Sequence, residues 1–134
     1  VDIVSPNWIE AQAVYGFAEP EALVRAMLDD GAPVAVVRLG EQGSIAGRQG
    51  DPQFVCVPAV PVPRIVDQTG AGNTYCGAFL VGWCETGDLA EAACRGAVAA
   101  SFALEVIGVA DPPENYAALR ETRMRELVGR ITVT

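Results

Sequence analysis

The chain of 134 residues contains no lysine and no histidine, so all nine of its basic residues are arginine. Without lysine there is neither Schiff-base chemistry nor the lysine of a P-loop. Without histidine there is neither a histidine-based catalytic triad nor a histidine-ligated zinc site. The range of chemistry open to this sequence is therefore narrow before any motif is considered.

Long hydrophobic runs are also missing. The longest apolar stretches, such as Val34–Val37 and Ala97–Ala100, are too short to cross a bilayer, and no basic-then-apolar signal segment opens the chain. Seventeen acidic residues against nine basic ones give a net charge of −8, which argues against nucleic acid or an anionic membrane as a partner. We expect a soluble, cytoplasmic protein.

The four cysteines show no C-x-x-C spacing, and two of them lie in predicted helix interiors. This pattern favours buried free thiols over a disulfide framework or a metal site. Hydrophobic residues make up 51% of the chain and charged residues 19%, which is a core-forming composition. Because the chain begins at Val1 within an apolar run and without an initiator methionine, we expect a fragment of a longer domain.

Strands and helices alternate in the first part of the chain. The patterns predict a strand at Val1–Val4, a short helix at Trp8–Tyr15 and an amphipathic helix at Glu21–Asp30 with Pro20 in its first turn. Pro33–Leu39 is a β-branched run typical of a strand buried on both faces. This alternation favours a parallel sheet and an α/β fold.

The middle of the chain is rich in turn residues. Ser44–Ala46 and Gln53–Val57 look like two antiparallel strands that form an edge hairpin. The proline-rich run Ala59–Pro63 predicts an extended connector, which leads to a strand end at Ile65–Asp67.

Three helices are predicted after this connector. The first covers Thr74–Glu85, and the second begins at an Asp88 cap and reaches about Ile107. After a break at Asp111–Pro113, the amphipathic pattern of Glu114–Ile131 predicts the last helix.

The strongest local motif is Asp67–Thr74, which reads D-Q-T-G-A-G-N-T between a predicted strand and a helix. Small residues at a helix start let a ligand approach the backbone, and the unpaired N–H groups there point towards it with the positive end of the helix dipole behind them. The motif therefore indicates an anion-binding hole. The alternative is a glycine-rich turn that only connects two elements.

Together with two further motifs, this loop resembles the PfkB carbohydrate kinase family, also called ribokinase-like, whose signature is D-T-x-G-A-G-D. Ser5–Glu10 is similar to the N-x-x-E motif of the family, and Val36–Gly43 looks like its strand and G-x-x-G nucleotide loop. The resemblance implies a Rossmann-like three-layer αβα sandwich with a mostly parallel sheet. It also implies that residues 1–134 are the C-terminal, nucleotide-binding part of a kinase domain, without the half that carries most sugar contacts and the lid.

The resemblance assigns catalytic and metal-binding roles. Gly70, Ala71 and Gly72 would form the anion hole that stabilises the transferring phosphoryl group. Asn7 and Glu10 would position Mg²⁺ and phosphates through water. An alternative, which is compatible with that role, is that Asn7 caps the following helix while Glu10 lies in its first turn.

The resemblance also assigns the nucleotide contacts. Leu39, Gly40 and Gly43 would line the phosphate and ribose side of ATP, while Ala97 and Ser101 lie on the small-residue helix where the family packs adenine. Taken alone, that apolar helix would be interpreted as core.

A monovalent-cation site is implied at two residues of the motif. Asp67 and Thr69 match positions that, in potassium-activated members of the family, help to hold a cation such as K⁺ near the anion hole. Not every member uses this ion.

Asn73 departs from the family pattern, which has an aspartate at this position as the general base for the substrate hydroxyl. A neutral amide cannot take that proton, although it preserves the shape of the site. The G-x-G-N form resembles a divergent branch of the family that includes fungal maintenance proteins.

Three functions remain open at this point. The first is transfer of the ATP γ-phosphoryl group to a hydroxyl of a sugar or nucleoside, with a homodimer through the lid as a further option. The second is a catalytically weak or inactive nucleotide-binding or regulatory protein that has lost its base at Asn73. The third, a classical dinucleotide-binding domain, is disfavoured because the sequence lacks G-x-G-x-x-G after a strand.

Overall fold

Five strands form one sheet in the order β1-β2-β3-β4-β5, and five α-helices pack against it in a computed structural model that describes residues 1–108 and 112–134. The strands are β1 (Ile3–Val4), β2 (Val34–Arg38), β3 (Ser44–Arg48), β4 (Val55–Val57) and β5 (Thr132–Val133). The helices are α1 (Trp8–Tyr15), α2 (Pro20–Asp29), α3 (Ala71–Thr86), α4 (Leu89–Ala103) and α5 (Tyr116–Val128), with one 3₁₀ turn at Gly40–Gln42.

The helices begin at residues suited to that position. Asn7 caps α1, Pro20 occupies the first turn of α2, and the Asp88 carboxylate accepts a hydrogen bond from the N–H of Glu91 at the start of α4. Asparagine and aspartate satisfy the unpaired N–H groups of a first turn, and proline lacks one of those groups. These local signals explain why the predicted starts of all three helices agree with the structure to within one residue.

The layers of the fold follow from the alternation of side chains along β2. Val34 and Val36 face a core shared with α3, α4 and α5, whereas Ala35 and Val37 face a core shared with α1 and α2. Successive residues of a strand point to opposite faces, so an uninterrupted apolar run is what a strand covered on both sides needs. The predicted α/β class and the three-layer αβα arrangement are confirmed.

The expectation of a mostly parallel sheet is wrong for the described residues. β1 and β2 are parallel, with Ile3 opposite Val34, while the pairs β2–β3, β3–β4 and β4–β5 are antiparallel. For the first two antiparallel pairs the physical reason is the length of the connections, since parallel strands need a crossover of a dozen or more residues. Only five residues join β2 to β3 and six join β3 to β4, so both pairs form hairpins.

Two further details of the middle region differ from the prediction. The hairpin of β3 and β4 lies inside the sheet rather than at its edge, because β5 adds to β4 and was not predicted. Ile65–Asp67 is not a strand: the N–H groups of Val66 and Asp67 donate to the carbonyl oxygen of Leu104 at 2.7 and 3.3 Å. The helix end therefore occupies the backbone donors that a strand would use.

The ends of three helices also differ. α3 begins at Ala71 rather than Thr74, because the glycine motif itself forms the first turn, and α4 ends at Ala103 rather than near Ile107. α5 begins two residues later and ends three residues earlier than predicted. Of the predicted break before α5, Asp111 lies outside the described residues.

All four cysteines are free thiols, as predicted, but their burial varies. Cys94 is buried, Cys56 and Cys76 are half-buried, and Cys84 is exposed on α3, so the expectation of uniformly buried thiols is wrong. In the ranges 1–108 and 112–134, no helix combines the length and the apolar character that a membrane crossing requires.

Candidate active site

The glycine motif forms the N-terminus of α3, and no side chain caps it. Gly70 is the N-cap residue, and its carbonyl oxygen accepts both the N–H and the hydroxyl of Thr74 at 2.9 Å. The N–H groups of Gly72 and Asn73 donate to no acceptor in the described parts of the chain. Unpaired first-turn donors at the positive end of a sixteen-residue helix are chemically suited to an anion.

The turn between β2 and β3 forms a second wall of the site. Leu39 donates its N–H to the carbonyl oxygen of Gly43 at 2.7 Å, and Gly43 donates to Gly40 at 3.1 Å. Gly43 has a φ of 95°, and a Cβ there would overlap the carbonyl oxygen of Val57. Only glycine fits a position with this conformation and this close approach, so the turn depends on that residue.

These elements surround an open cavity of about 630 Å³. The predicted site residues that line it are Asn7, Gly40, Gly43, Ala71, Gly72, Ala97 and Ser101. Motifs that are up to 94 positions apart in the sequence therefore meet at one place. The volume is within the usual range for small-molecule and cofactor sites.

Six predicted site residues do not line this cavity: Glu10, Leu39, Asp67, Thr69, Gly70 and Asn73. The Leu39 side chain packs with the α1 and α2 core instead. Asn73 is exposed in the first turn of α3, and Gly70 supports the cavity wall from behind through its bonds to Thr74.

Asn7 and Glu10 form the capping box that is the alternative to metal binding. The Asn7 Oδ1 atom accepts the N–H of Glu10, and Glu10 Oε2 accepts the N–H of Asn7, both at 2.8 Å. The Glu10 side chain is 60% exposed and lies 3.8 Å from Nη2 of Arg38. Its Oε1 atom has no partner among the described residues, so the carboxylate still fits a hydrated Mg²⁺, which keeps several of its own waters.

Asp67 and Thr69 lie in one tight turn that precedes α3. Hydrogen bonds from Thr69, first from its backbone N–H at 2.9 Å and then from its side chain, lower the pKa of Asp67. The carboxylate is therefore ionised at neutral pH, as a cation ligand must be. No group of three or more acidic, cysteine or histidine side chains that could hold a metal ion occurs in residues 1–108 and 112–134.

Ser101 lines the cavity from α4, but its hydroxyl group already has two hydrogen-bond partners. It donates to the carbonyl oxygen of Val98 and accepts from Nη1 of Arg123 at 2.9 Å. The Arg123 guanidinium also pairs with Glu105 at 2.8 Å and lies 4.1 Å from the ring centroid of Phe102. Ser101 thus ties α4 to α5 and presents a small surface to the cavity.

Several cavity residues were not predicted. The connector residues Ala59–Val62 form an apolar wall, and Arg38, Tyr75 and Arg130 add polar groups. A proline-rich apolar segment between two motifs is a usable signal for such a wall, because it holds an extended backbone without needing sheet partners. Arg38 lies within the predicted motif Val36–Gly43. A basic residue shortly before a glycine-containing turn is the sequence signal that could have identified it as a cavity residue.

Residues 1–115 match the family described as pfkB family carbohydrate kinase. The chain therefore belongs to the pfkB family of carbohydrate kinases, and the predicted family and ribokinase-like fold are confirmed. Cytidine kinase from Thermococcus kodakarensis is 35% identical over 85 residues, which are 62% of this chain and 30% of that protein. Ribokinase from Arabidopsis thaliana is 30% identical over 126 residues, which are 90% of this chain and 33% of that protein.

Solved structures agree with this assignment. Adenosine kinase from Sinorhizobium meliloti superposes with a TM-score of 0.77 at 32% identity, over 91% of this chain and 36% of that one. Arabidopsis thaliana ribokinase complexed with ribose and ATP superposes with a TM-score of 0.75 at 28% identity, over 96% of this chain and 41% of that one. The chain spans about a third of the length of the curated relatives it matches.

Proposed function

We propose that residues 1–134 form the ATP-binding part of a kinase that transfers the γ-phosphoryl group of ATP to a hydroxyl of a sugar or a nucleoside. The relatives support this substrate range, since they include a ribokinase, a cytidine kinase and an adenosine kinase. The ATP in the Arabidopsis thaliana ribokinase structure supports the choice of nucleotide.

The observation that carries the proposal is the convergence of three surfaces on one cavity. Unpaired N–H groups open α3 at Gly72, the Gly40–Gly43 turn exposes backbone, and Ala97 on α4 presents a small apolar surface. The first two suit phosphates and the third suits a flat base. A nucleoside triphosphate has this combination of charge at one end and apolar area at the other.

The reaction assigned to this site is an in-line displacement at the γ-phosphorus. The acceptor hydroxyl forms the new O–P bond and loses its proton, while the bond from the γ-phosphorus to the bridging oxygen breaks and ADP leaves. Negative charge is spread over the transferring oxygens in the transition state. The Gly72 and Asn73 N–H groups are fixed before the reaction, so they stabilise that charge without reorganisation.

Mg²⁺ and K⁺ are part of the proposal at the residues that fit them. Glu10 and Asn7 would hold a hydrated Mg²⁺ near the phosphates, and Asp67 and Thr69 would hold K⁺ beside the start of α3. When bound, Mg²⁺ neutralises phosphate charge. A cytoplasmic location and a homodimer through a lid remain predictions from the sequence.

The alternative function, a weak or inactive nucleotide-binding protein, rests on Asn73 alone. Its exposed amide makes no hydrogen bond to the described residues and cannot accept the hydroxyl proton as a base. The kinases among the relatives do not support this alternative. Phosphoryl transfer depends mainly on positioning and electrostatic stabilisation, so a missing base reduces the rate more readily than it abolishes the reaction.

The test has two stages. Calorimetric titration of the full-length protein with ATP should show saturable binding, and the same protein with ATP and Mg²⁺ should release ADP when ribose, cytidine or adenosine is added. ATP binding without acceptor-dependent ADP release would favour the nucleotide-binding alternative. Absence of ATP binding would contradict both functions.

A further inference from the structure

Arg38 lies at the end of β2 with its guanidinium held in a fixed orientation. Its Nε and Nη2 atoms both donate to the carbonyl oxygen of Ser5, at 3.2 and 3.0 Å. The side chain is only 20% exposed, and the residue lines the candidate nucleotide cavity. The two bonds to one carbonyl determine where the third nitrogen, Nη1, points.

The Nη1 atom lies against the first turn of α3. A Cβ built on Gly72 would overlap Nη1, so the helix and the guanidinium can touch only because residue 72 is glycine. Nη1 donates to no acceptor in the described ranges, 1–108 and 112–134. The free guanidinium nitrogen therefore lies against Gly72, the residue whose backbone N–H is also unpaired.

The charge of Arg38 is poorly balanced by its surroundings. Within the described residues its one ion pair is with Glu10, at 3.8 Å, and Oε2 of that carboxylate already accepts the N–H of Asn7. A largely buried cation needs a close anion to offset the cost of its desolvation. The cavity beside Gly72 is the open side from which such an anion can approach Nη1.

We propose that Arg38 binds the terminal phosphates of the nucleotide through Nη1, next to the N–H of Gly72. The inference rests on the proposed function and adds a phosphate-binding side chain to a hole otherwise made of backbone. A guanidinium keeps its charge at all physiological pH values and donates directed hydrogen bonds to phosphate oxygens. In a chain without lysine, it supplies the positive charge that a backbone hole lacks.

The test compares ATP with AMP, because AMP keeps the base, the ribose and one phosphate but lacks the terminal phosphates. The variants are Arg38→Gln, Arg38→Lys and the control Arg48→Gln, whose arginine is half exposed, pairs with Asp51 at 3.7 Å and lies outside the cavity. Dissociation constants are measured by calorimetry on the full-length protein. Circular dichroism melting checks that each variant is folded.

Arg38→Gln should weaken ATP binding by about tenfold to a hundredfold, as expected for a lost charge-assisted hydrogen bond, and AMP binding by less than about threefold. Arg48→Gln should bind both nucleotides as the wild type does. Equal losses for ATP and AMP, or no loss, would overturn the proposal and leave the proposed function standing.

A wild type that binds neither nucleotide would overturn the proposed function and this inference together. If Arg38→Gln does not fold, Arg38→Lys provides the test of phosphate binding, because it retains a cation but loses the guanidinium geometry. It should weaken ATP binding severalfold with AMP binding unchanged, and equal affinity losses for the two nucleotides would contradict the assignment.

Discussion

The hydroxyl groups of Ser44 and Tyr75 lie 2.7 Å apart and form a buried hydrogen bond between β3 and the second turn of α3. Both residues are almost fully buried, at 3% and 6% exposure. Burial raises the pKa of Tyr75, so its phenol stays protonated. The bond fixes the start of α3 relative to the strand that follows the Gly40–Gly43 turn, and these are the two walls proposed to hold the phosphates.

Tyr75→Phe should lower the free energy of unfolding by about 1–3 kcal/mol, because it leaves the buried Ser44 hydroxyl without its partner. Denaturant unfolding followed by tryptophan fluorescence measures this change. Tyr15→Phe is the matched control, since the Tyr15 hydroxyl bonds to Asp30 at an exposed site. Tyr15→Phe should lower the free energy of unfolding by less than Tyr75→Phe does.

The double variant Ser44→Ala/Tyr75→Phe gives the sharper result. Removing both partners of a buried hydrogen bond is far less costly than removing one, so the double variant should be more stable than the sum of the single changes predicts. Strictly additive losses would show that the two hydroxyl groups do not interact.

Gly72→Val should abolish detectable ATP binding. The new side chain would overlap the Arg38 guanidinium and cover the unpaired N–H groups at the start of α3. Gly77→Val is the matched control, because Gly77 lies in the same helix with open space around its Cα. Calorimetry should show normal ATP affinity for Gly77→Val, and equal affinities for both variants would contradict the phosphate site.

The sequence was sufficient to predict the elements that carry strong local signals. Asn7, Pro20 and Asp88 mark helix starts through their own chemistry, and the apolar run of β2 predicts burial on both faces. β5 was missed because two exposed residues after a helix have no local pattern, and β4 alone makes them a strand. The direction of β3 and β4 follows from their short connections, which allow only antiparallel hairpins.

The sequence predicts the cavity residues that lie in glycine-rich motifs, but not the contacts between distant side chains. Gly72 and Gly43 lie in short glycine-containing motifs that are recognisable in the sequence alone. The contact between Arg38 and Gly72 joins residues 34 positions apart, and the bonds of Ser101 to α5 depend on how two helices pack. Such relationships arise from tertiary structure, so one sequence does not reveal them.

Glu10→Gln separates capping from metal binding. Glutamine also completes a capping box, and the lost ion pair with Arg38 is long, at 3.8 Å, and involves a 60% exposed carboxylate. The free energy of unfolding should therefore change by less than about 1 kcal/mol. If Glu10 acts on hydrated Mg²⁺, the increase in ATP affinity on adding Mg²⁺ should shrink in the variant. Glu19→Gln, at the N-cap of α2 without a side-chain bond, should leave that increase intact. An unchanged Mg²⁺ response in Glu10→Gln would leave only the capping role.

Thiol reactivity should differ strongly between Cys84 and Cys94. Cys84 is exposed, whereas burial, and then Glu91 and Asp88, raise the pKa of Cys94 to about 12. Because the thiolate is the reactive form, Cys94 should resist Ellman's reagent at about pH 8 until the protein unfolds. Cys84→Ser should remove the fastest phase of the native reaction, and persistence of that phase would contradict the described exposure.

Asn73→Asp tests how far asparagine at position 73 lowers the proposed kinase activity. If the anion hole is intact and only the base is missing, the variant should raise the turnover rate by about 10²–10⁴-fold in the full-length protein. The gain should appear in kcat, because a base acts in the transition state and adds little to ground-state binding. Steady-state assays with sugars and nucleosides measure it, together with ATP affinity, which an added carboxylate near the phosphates should weaken.

The control for Asn73→Asp is Gly72→Val/Asn73→Asp, in which the base is present but the phosphate site is blocked. It should show no gain, because a base has nothing to deprotonate productively without a positioned phosphoryl group. A wild type that already turns over as fast as ordinary kinases, and gains nothing from Asn73→Asp, would show that the proton leaves by another route. In that case water or the substrate itself accepts it, and the exposed Asn73 amide is no obstacle to catalysis.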